Sequence, residues 1–346
     1  DELYHSAWKS QFLSGVMYPV MNFIGNIGYV CVAILGGYLA ANGRITVGNI
    51  QSFIQYNKQF TQPIVQIAQV SSMLQSMVAA AERIFEFLEG EEETFGTKKL
   101  DHDVVGSVEF KDVTFGYNED KMIIKNFNLV VKPGEKVAIV GPTGAGKTTL
   151  VKLLMNFYKL NKGNIIVDGM NIKDYDVYSM RKNFGMVLQD TWLYSGTIME
   201  NLKYGKLDAT DEEVYEACKV ANVDHFIRTL PDGYNMQIDE ENANISQGQK
   251  QLLTIARAIL ANSKILILDE ATSSVDTRTE ELIQDAMDKL MEGRTSFVIA
   301  HRLSTIKNAD VILVINDGEV VEMGNHNELL KKNGYYAKLY NSQFEV

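Results

Sequence analysis

The stretch Gly141-Pro142-Thr143-Gly144-Ala145-Gly146-Lys147-Thr148 has the spacing of a phosphate-binding loop. The apolar run Lys136–Val140 precedes it, and Thr149-Leu150-Val151-Lys152-Leu153-Leu154 follows with a helical pattern. Strand, glycine-rich loop and helix in that order turn backbone N–H groups and the positive end of a helix dipole toward a phosphate. Gly141, Thr143, Gly144, Gly146, Lys147, Thr148 and Thr149 are therefore expected to contact a nucleotide. Lys147 is placed to reach the β- and γ-phosphates, and the Thr148 hydroxyl to hold Mg²⁺. A chance glycine-rich turn would lack the flanking strand and helix.

A second apolar run, Ile265–Leu268, ends in Asp269-Glu270. Two acids at a strand end are a weak signal alone, but downstream of a phosphate loop they gain meaning. Asp269 can hold Mg²⁺ through water, and Glu270 is then placed to polarise an attacking water.

At Asn244-Ile245-Ser246-Gln247-Gly248-Gln249 and the following run Lys250–Ala258, the sequence resembles the signature of ABC-type ATPases, usually LSGGQ. The rest of that family's pattern follows in order over about residues 106–346. Tyr117 resembles the aromatic residue that stacks on adenine. Gln189 resembles the Q-loop glutamine, Ser274-Val275-Asp276 the D-loop, and His301 the switch histidine. The resemblance implies ATP and Mg²⁺ as cofactors, with Thr148, Gln189 and Asp269 around the metal. It implies that Glu270, His301 and Lys147 carry hydrolysis. It also implies a head-to-tail dimer, in which Ser246, Gly248 and Gln249 cap the γ-phosphate held by the other subunit and Asp276 lies near the same interface.

These residues need a scaffold. Short β-rich runs at 108–110, 136–140, 165–167, 265–268, 296–299 and 311–315 alternate with amphipathic helices, the pattern of an α/β domain with a largely parallel sheet. Ahead of it the texture is different. Ser10 to Gly43 contains no Asp, Glu, Lys, Arg or His, and neither does Gln59 to Ala81. The first charge-free run exceeds the roughly 20 residues that cross a bilayer. Its Pro19, Gly25, Gly28, Gly36 and Gly37 are tolerated in membrane helices and permit close packing. The alternative, a buried helix of a soluble protein, rarely runs so long without charge.

The expected fold is thus an α-helical transmembrane segment plus an α/β P-loop NTPase domain of ABC type. Residues 1–88 form a partial transmembrane domain with helices over about 11–41 and 47–88, 89–105 a linker, and 106–346 the nucleotide-binding domain. The segment resembles the last two membrane helices of an exporter half-transporter. The chain, starting at Asp1, is expected to be part of a longer product that cannot form a pore alone. Glutamines at 51, 55, 59, 62, 66 and 69 lie along one helical face. They either pack against other helices or line a substrate path.

The net charge of −11 argues against a nucleic-acid partner. Cys31 and Cys218 form no CxxC pair and read as small buried residues. The expected partners are the bilayer, a second half-transporter and an exported small molecule, lipid or peptide. Gln247 stands where glycine is usual, and Asp239 and Asn242 stand where the exporter pattern commonly has glycines. Glu240 matches the acid of that loop. Because the altered signature serves the partner's ATP, an unlike partner is favoured over a like one, resembling heterodimeric bacterial multidrug exporters; a harmless variation at Gln247 is the alternative. A soluble ABC ATPase would lack the membrane segment. An ATP-gated channel of the same fold is disfavoured by intact Glu270 and His301.

Overall fold

The computed structural model describes residues 2–90, 92, 96–99, 104–118, 120–238, 245–269, 276–300 and 303–344. It divides into two compact units, Asp1–Glu93 and Thr94–Val346.

The first unit is a helical hairpin, α1 (Glu2–Ala41) and α2 (Val47–Leu88). Gly43 turns the chain at φ +69°, and Thr46 opens α2 as N-cap, sharing a reciprocal capping box with Asn49. Glycines on α1 let α2 approach closely. A Cβ on Gly36 would stand 2.9 Å from Ile50 Cγ1, one on Gly28 3.0 Å from Asn57 Nδ2, and one on Gly25 3.4 Å from Thr61 Cγ2. Gln51, Gln55, Gln59, Gln62 and Gln66 are exposed on α2, away from that contact line. Among the described residues one stretch, Asn22–Ala41, is long and apolar enough to span a membrane; α2, carrying the glutamines and Lys58, is not such a stretch by length and composition. Cys31 is exposed on α1 rather than buried, whereas Cys218 is buried and its thiol is pushed up to about 12 by desolvation.

The strands of the second unit are β1 (Val108–Phe115), β2 (Ile124–Val131), β3 (Lys136–Val140), β4 (Lys162–Val167), β5 (Met170–Asn171), β6 (Phe184–Val187), β7 (Gly196–Thr197), β8 (Gln237–Ile238), β9 (Ile265–Asp269), β10 (Thr295–Ile299), β11 (Val311–Asn316) and β12 (Glu319–Gly324). The central sheet runs β12-β11-β3-β10-β9-β6, parallel except for the edge strand β12. Its inner strands are continuous apolar runs, as a sheet covered on both faces requires. Alternate residues serve different cores. Ile139, Ile267, Phe297 and Leu313 pack with α3 (Lys147–Leu154) on one face. On the other face Leu266, Leu268 and Val298 meet the helices Gln247–Ala261 and Thr277–Met291, and Ala138 and Val140 meet Leu329 and Tyr336.

A second sheet, β2-β1-β4-β5, is wholly antiparallel, so the domain is less uniformly parallel than its strand–helix alternation suggests. Part of the expected linker is tied to it. Lys98 bridges to Tyr175, and the Asp168 carboxylate accepts the N–H groups of Val105 (2.8 Å), Gly106 (3.1 Å) and Ser107 (2.7 Å).

Candidate nucleotide-binding site

Strand register gathers the phosphate-binding parts at one edge of the central sheet. Ile299 of β10 pairs with Ile139 of β3 on one side and with Asp269 of β9 on the other. Val187 of β6 pairs with Leu268. The loop leaving β3, the Asp269 carboxylate ending β9, and Gln189 just beyond β6 therefore all follow the carboxyl ends of adjacent strands. Open α/β sheets place their ligands at this edge.

The loop's glycines are needed for two different reasons. At Gly141, φ +155°, a Cβ would fall 2.1 Å from the Ile315 carbonyl oxygen, so the backbone approach itself excludes a side chain. Gly146, φ +105°, occupies a left-handed conformation as N-cap of α3, and its Cβ would stand 2.9 Å from Ile124 Cδ1. No side chain caps α3. The first-turn N–H groups are thus left for a ligand, at the positive end of the helix. Lys147 folds back over the loop and donates from Nζ to the carbonyls of Gly141 (2.8 Å) and Pro142 (3.0 Å). Desolvation by burial lowers its pKa, opposed by the Asp269 charge. An arriving phosphate would exchange two neutral acceptors for charged ones, a stronger bond.

The far end of α3 is held by a residue that sequence reasoning missed. Arg181 donates from Nε to Met155 O (3.0 Å) and from Nη2 to Asn156 O (2.9 Å), with its guanidinium 4.6 Å from the Phe157 ring centroid. A cation on the last carbonyls complements the helix dipole. Its signal in the sequence, one arginine distant from the loop, is indistinguishable from a surface charge.

Tyr117 lies half-exposed beside α3, its hydroxyl 3.4 Å from Thr149 Oγ1. Thr148, Gln189 and Asp269 offer only hard oxygen donors, the set Mg²⁺ prefers when water and phosphate complete its shell. No cluster of three His, Cys, Asp or Glu residues suited to a metal occurs among the described residues, so any cation here relies on such shared ligands. Glu270 and His301 lie outside the described residues, as do Asp239, Glu240, Asn242, Asn244, Ser274 and Val275.

The helix Gln247–Ala261 is built differently at its start. Ser246 is its N-cap, and a capping box closes it: Gln249 N donates to Ser246 Oγ (3.3 Å) and Ser246 N to Gln249 Oε1 (2.9 Å). Gly248 is buried, and exposed Gln247 donates from Nε2 to Thr191 Oγ1 (3.0 Å). Thr191 follows Gln189 closely, so the residue that departs from the usual signature bonds the Q-loop segment of its own chain. Arg257 fastens the same helix to that region through Asn201 O (2.9 Å) and Trp192 O (3.2 Å). Asp276 caps the helix Thr277–Met291, accepting from Thr279 N (3.0 Å), and that amide lowers its carboxyl pKa.

A phosphate loop on a parallel sheet, an acid ending the neighbouring strand and a separate helical signature define a nucleotide-binding domain of the ATP-binding-cassette class. Comparison with known proteins agrees. Residues 124–273 match the ABC transporter family, and residues 1–64 its transmembrane region. The chain belongs to the ABC transporter family. It is 53% identical over 339 residues to a fatty acid ABC transporter ATP-binding/permease protein of Mycobacterium bovis, covering 98% of this chain and 54% of that protein. It is 39% identical over 351 residues to an ATP-dependent lipid A-core flippase of Syntrophus aciditrophicus, covering 100% of this chain and 58% of the flippase. A bacterial Atm1-family ABC exporter solved with ATP bound superposes with a TM-score of 0.76 at 34% identity, over 99% of this chain and 60% of that one. The chain thus spans little more than half the length of these relatives.

Proposed function

We propose that this chain is the motor-bearing part of an exporter half-transporter, which hydrolyses Mg-ATP to move a substrate across the cell membrane. The observation that carries the reading is the strand register that aligns the phosphate loop, Asp269 and Gln189 along one sheet edge. The membrane hairpin in the same chain ties that motor to transport. In this reading the first-turn amides of α3 and Lys147 bind the phosphates, and Thr148, Asp269 and Gln189 hold Mg²⁺, which neutralises phosphate charge. Glu270 takes the proton of the attacking water, and His301 contacts the γ-phosphate. α1 and α2 both cross the bilayer, with the ATPase unit in the cytoplasm.

The exposed glutamine line on α2 supports a polar surface turned toward a substrate path or toward further helices. Relatives named for fatty acid and for lipid A-core point to an amphipathic lipid as substrate ahead of a drug or peptide. The partner is a second half-transporter, and the ISQGQ signature favours an unlike one. A dimer of two like copies is the second reading, favoured by the Gln247–Thr191 bond, which gives the unusual glutamine a role inside its own chain.

The test is to purify the full-length transporter from membranes and assay ATPase and transport in vesicles with fatty acids, lipid A and cationic drugs. Lipid-stimulated ATPase that disappears in Glu270→Gln is expected. Turnover unaffected by Glu270→Gln would remove Glu270 as base, and a stable, active self-dimer would overturn the unlike partner.

A further inference from the structure

Tyr117 does not stand alone. Its ring centroid lies 5.1 Å from Phe115 and 5.0 Å from Tyr158, both edge-on, with interplanar angles of 83° and 85°. Phe115 and Tyr158 also meet, tilted, at 5.6 Å. The three rings close a triangle. Phe115 is buried at the end of β1, whereas Tyr158 comes from the segment just after α3 and is 39% exposed. The triangle therefore joins the antiparallel sheet to the helix that carries the phosphate loop.

We propose that Tyr158 is a positioning residue for nucleotide binding, holding the Tyr117 ring in the orientation that receives the base; this rests on the reading that Tyr117 stacks on adenine. Three features support it. A Tyr117 that is 46% exposed would sample several rotamers unless its neighbours blocked them, and a free ring loses side-chain entropy when a base docks. Two edge-to-face contacts at right angles favour one orientation, because the ring quadrupole makes each directional. The remaining tether, from the Tyr117 hydroxyl to Thr149, is long at 3.4 Å and holds only the tip of the side chain. Tyr158 thus supplies, from the phosphate-loop side, a restraint that Phe115 supplies from the strand side. The contact also links base to phosphate recognition, since the segment bearing Tyr158 is anchored beside the α3 terminus held by Arg181.

The experiment measures binding of ATP and of inorganic tripolyphosphate to the full chain, in the parent and in Tyr158→Leu, Tyr158→Phe and Tyr117→Ala. Tripolyphosphate reads the phosphate loop alone, so the ratio of the two affinities isolates the base. Tyr158→Leu is expected to weaken ATP by about 3- to 10-fold, the scale of one aromatic pair, and to leave tripolyphosphate unchanged. Tyr158→Phe, which keeps the ring, should bind ATP like the parent. An unchanged ATP affinity in Tyr158→Leu would overturn the inference, and so would equal losses for both ligands, which signify general damage to α3. If Tyr117→Ala leaves the ratio unchanged, the adenine reading fails and the role of Tyr158 falls with it. A collapse of the ratio in Tyr117→Ala without one in Tyr158→Leu removes Tyr158 alone.

Discussion

The phosphate-loop helix and the signature helix begin in opposite ways. α3 starts at a left-handed glycine with no side-chain cap, whereas the signature helix starts at Ser246 inside a closed capping box. Donors at a helix start must go somewhere. In α3 no side chain takes them, and the loop before the helix is packed closely at Gly141 and Gly146. In the signature helix two of them, Ser246 N and Gln249 N, are satisfied by the capping box, so fewer are left for a ligand. One terminus is open to a ligand. The other starts with its cap already formed, and those side-chain bonds would compete with any ligand.

Substitutions can break or sharpen this contrast. The largest effect belongs to the open terminus. Lys147→Ala is expected to abolish ATP binding, because it removes the charge that meets the β- and γ-phosphates. Glu270→Gln should retain binding and slow hydrolysis by about a hundredfold or more. Titration with a fluorescent ATP analogue beside a phosphate-release assay separates the two, and near-parent affinity in Lys147→Ala would end the assignment of the loop.

Ser246→Ala should act on both folding and partnership. Losing an N-cap costs about 1 kcal/mol, which in a unit of this size lowers Tm by about 2–4 °C. Thermal unfolding of the full chain without nucleotide checks the cap. A parent-like Tm in Ser246→Ala would mean the box contributes nothing and the two termini are alike.

The smallest effect is expected at Gln247. Gln247→Gly and Thr191→Val each remove one hydrogen bond, worth about 0.5–1.5 kcal/mol. The double variant should lose no more than the larger of the two. Additive losses in that cycle would show that the pair does not interact.

What could be read ahead of the structure follows from range. β3, β9, β10 and β11 announce themselves as short apolar runs because both faces of their sheet are covered. β2 is harder, since Asn126 and Asn128 interrupt it on an exposed side. The phosphate loop is local, and its residues lie where their spacing implies. Tyr158, Arg181 and Thr191 owe their places to contacts made across the fold. Nothing adjacent in the sequence marks them: Gln247 meets a threonine 56 positions away, and Tyr117 a ring on the far side of two strands and a helix. The departure of ISQGQ from the usual signature is a matter of comparison with other signatures, whereas the hydrogen bond of Gln247 is a matter of geometry.

The strand β10 separates β3 from β9, and hydrogen-bonded strands lie about 4.8 Å apart. The ends of β3 and β9 are therefore set roughly 10 Å apart by two strand spacings. This ruler is made of backbone. It keeps its length whatever side chains stand at its two ends, so Lys147→Ala or Asp269→Asn changes the chemistry offered across the gap and leaves the gap itself unaltered.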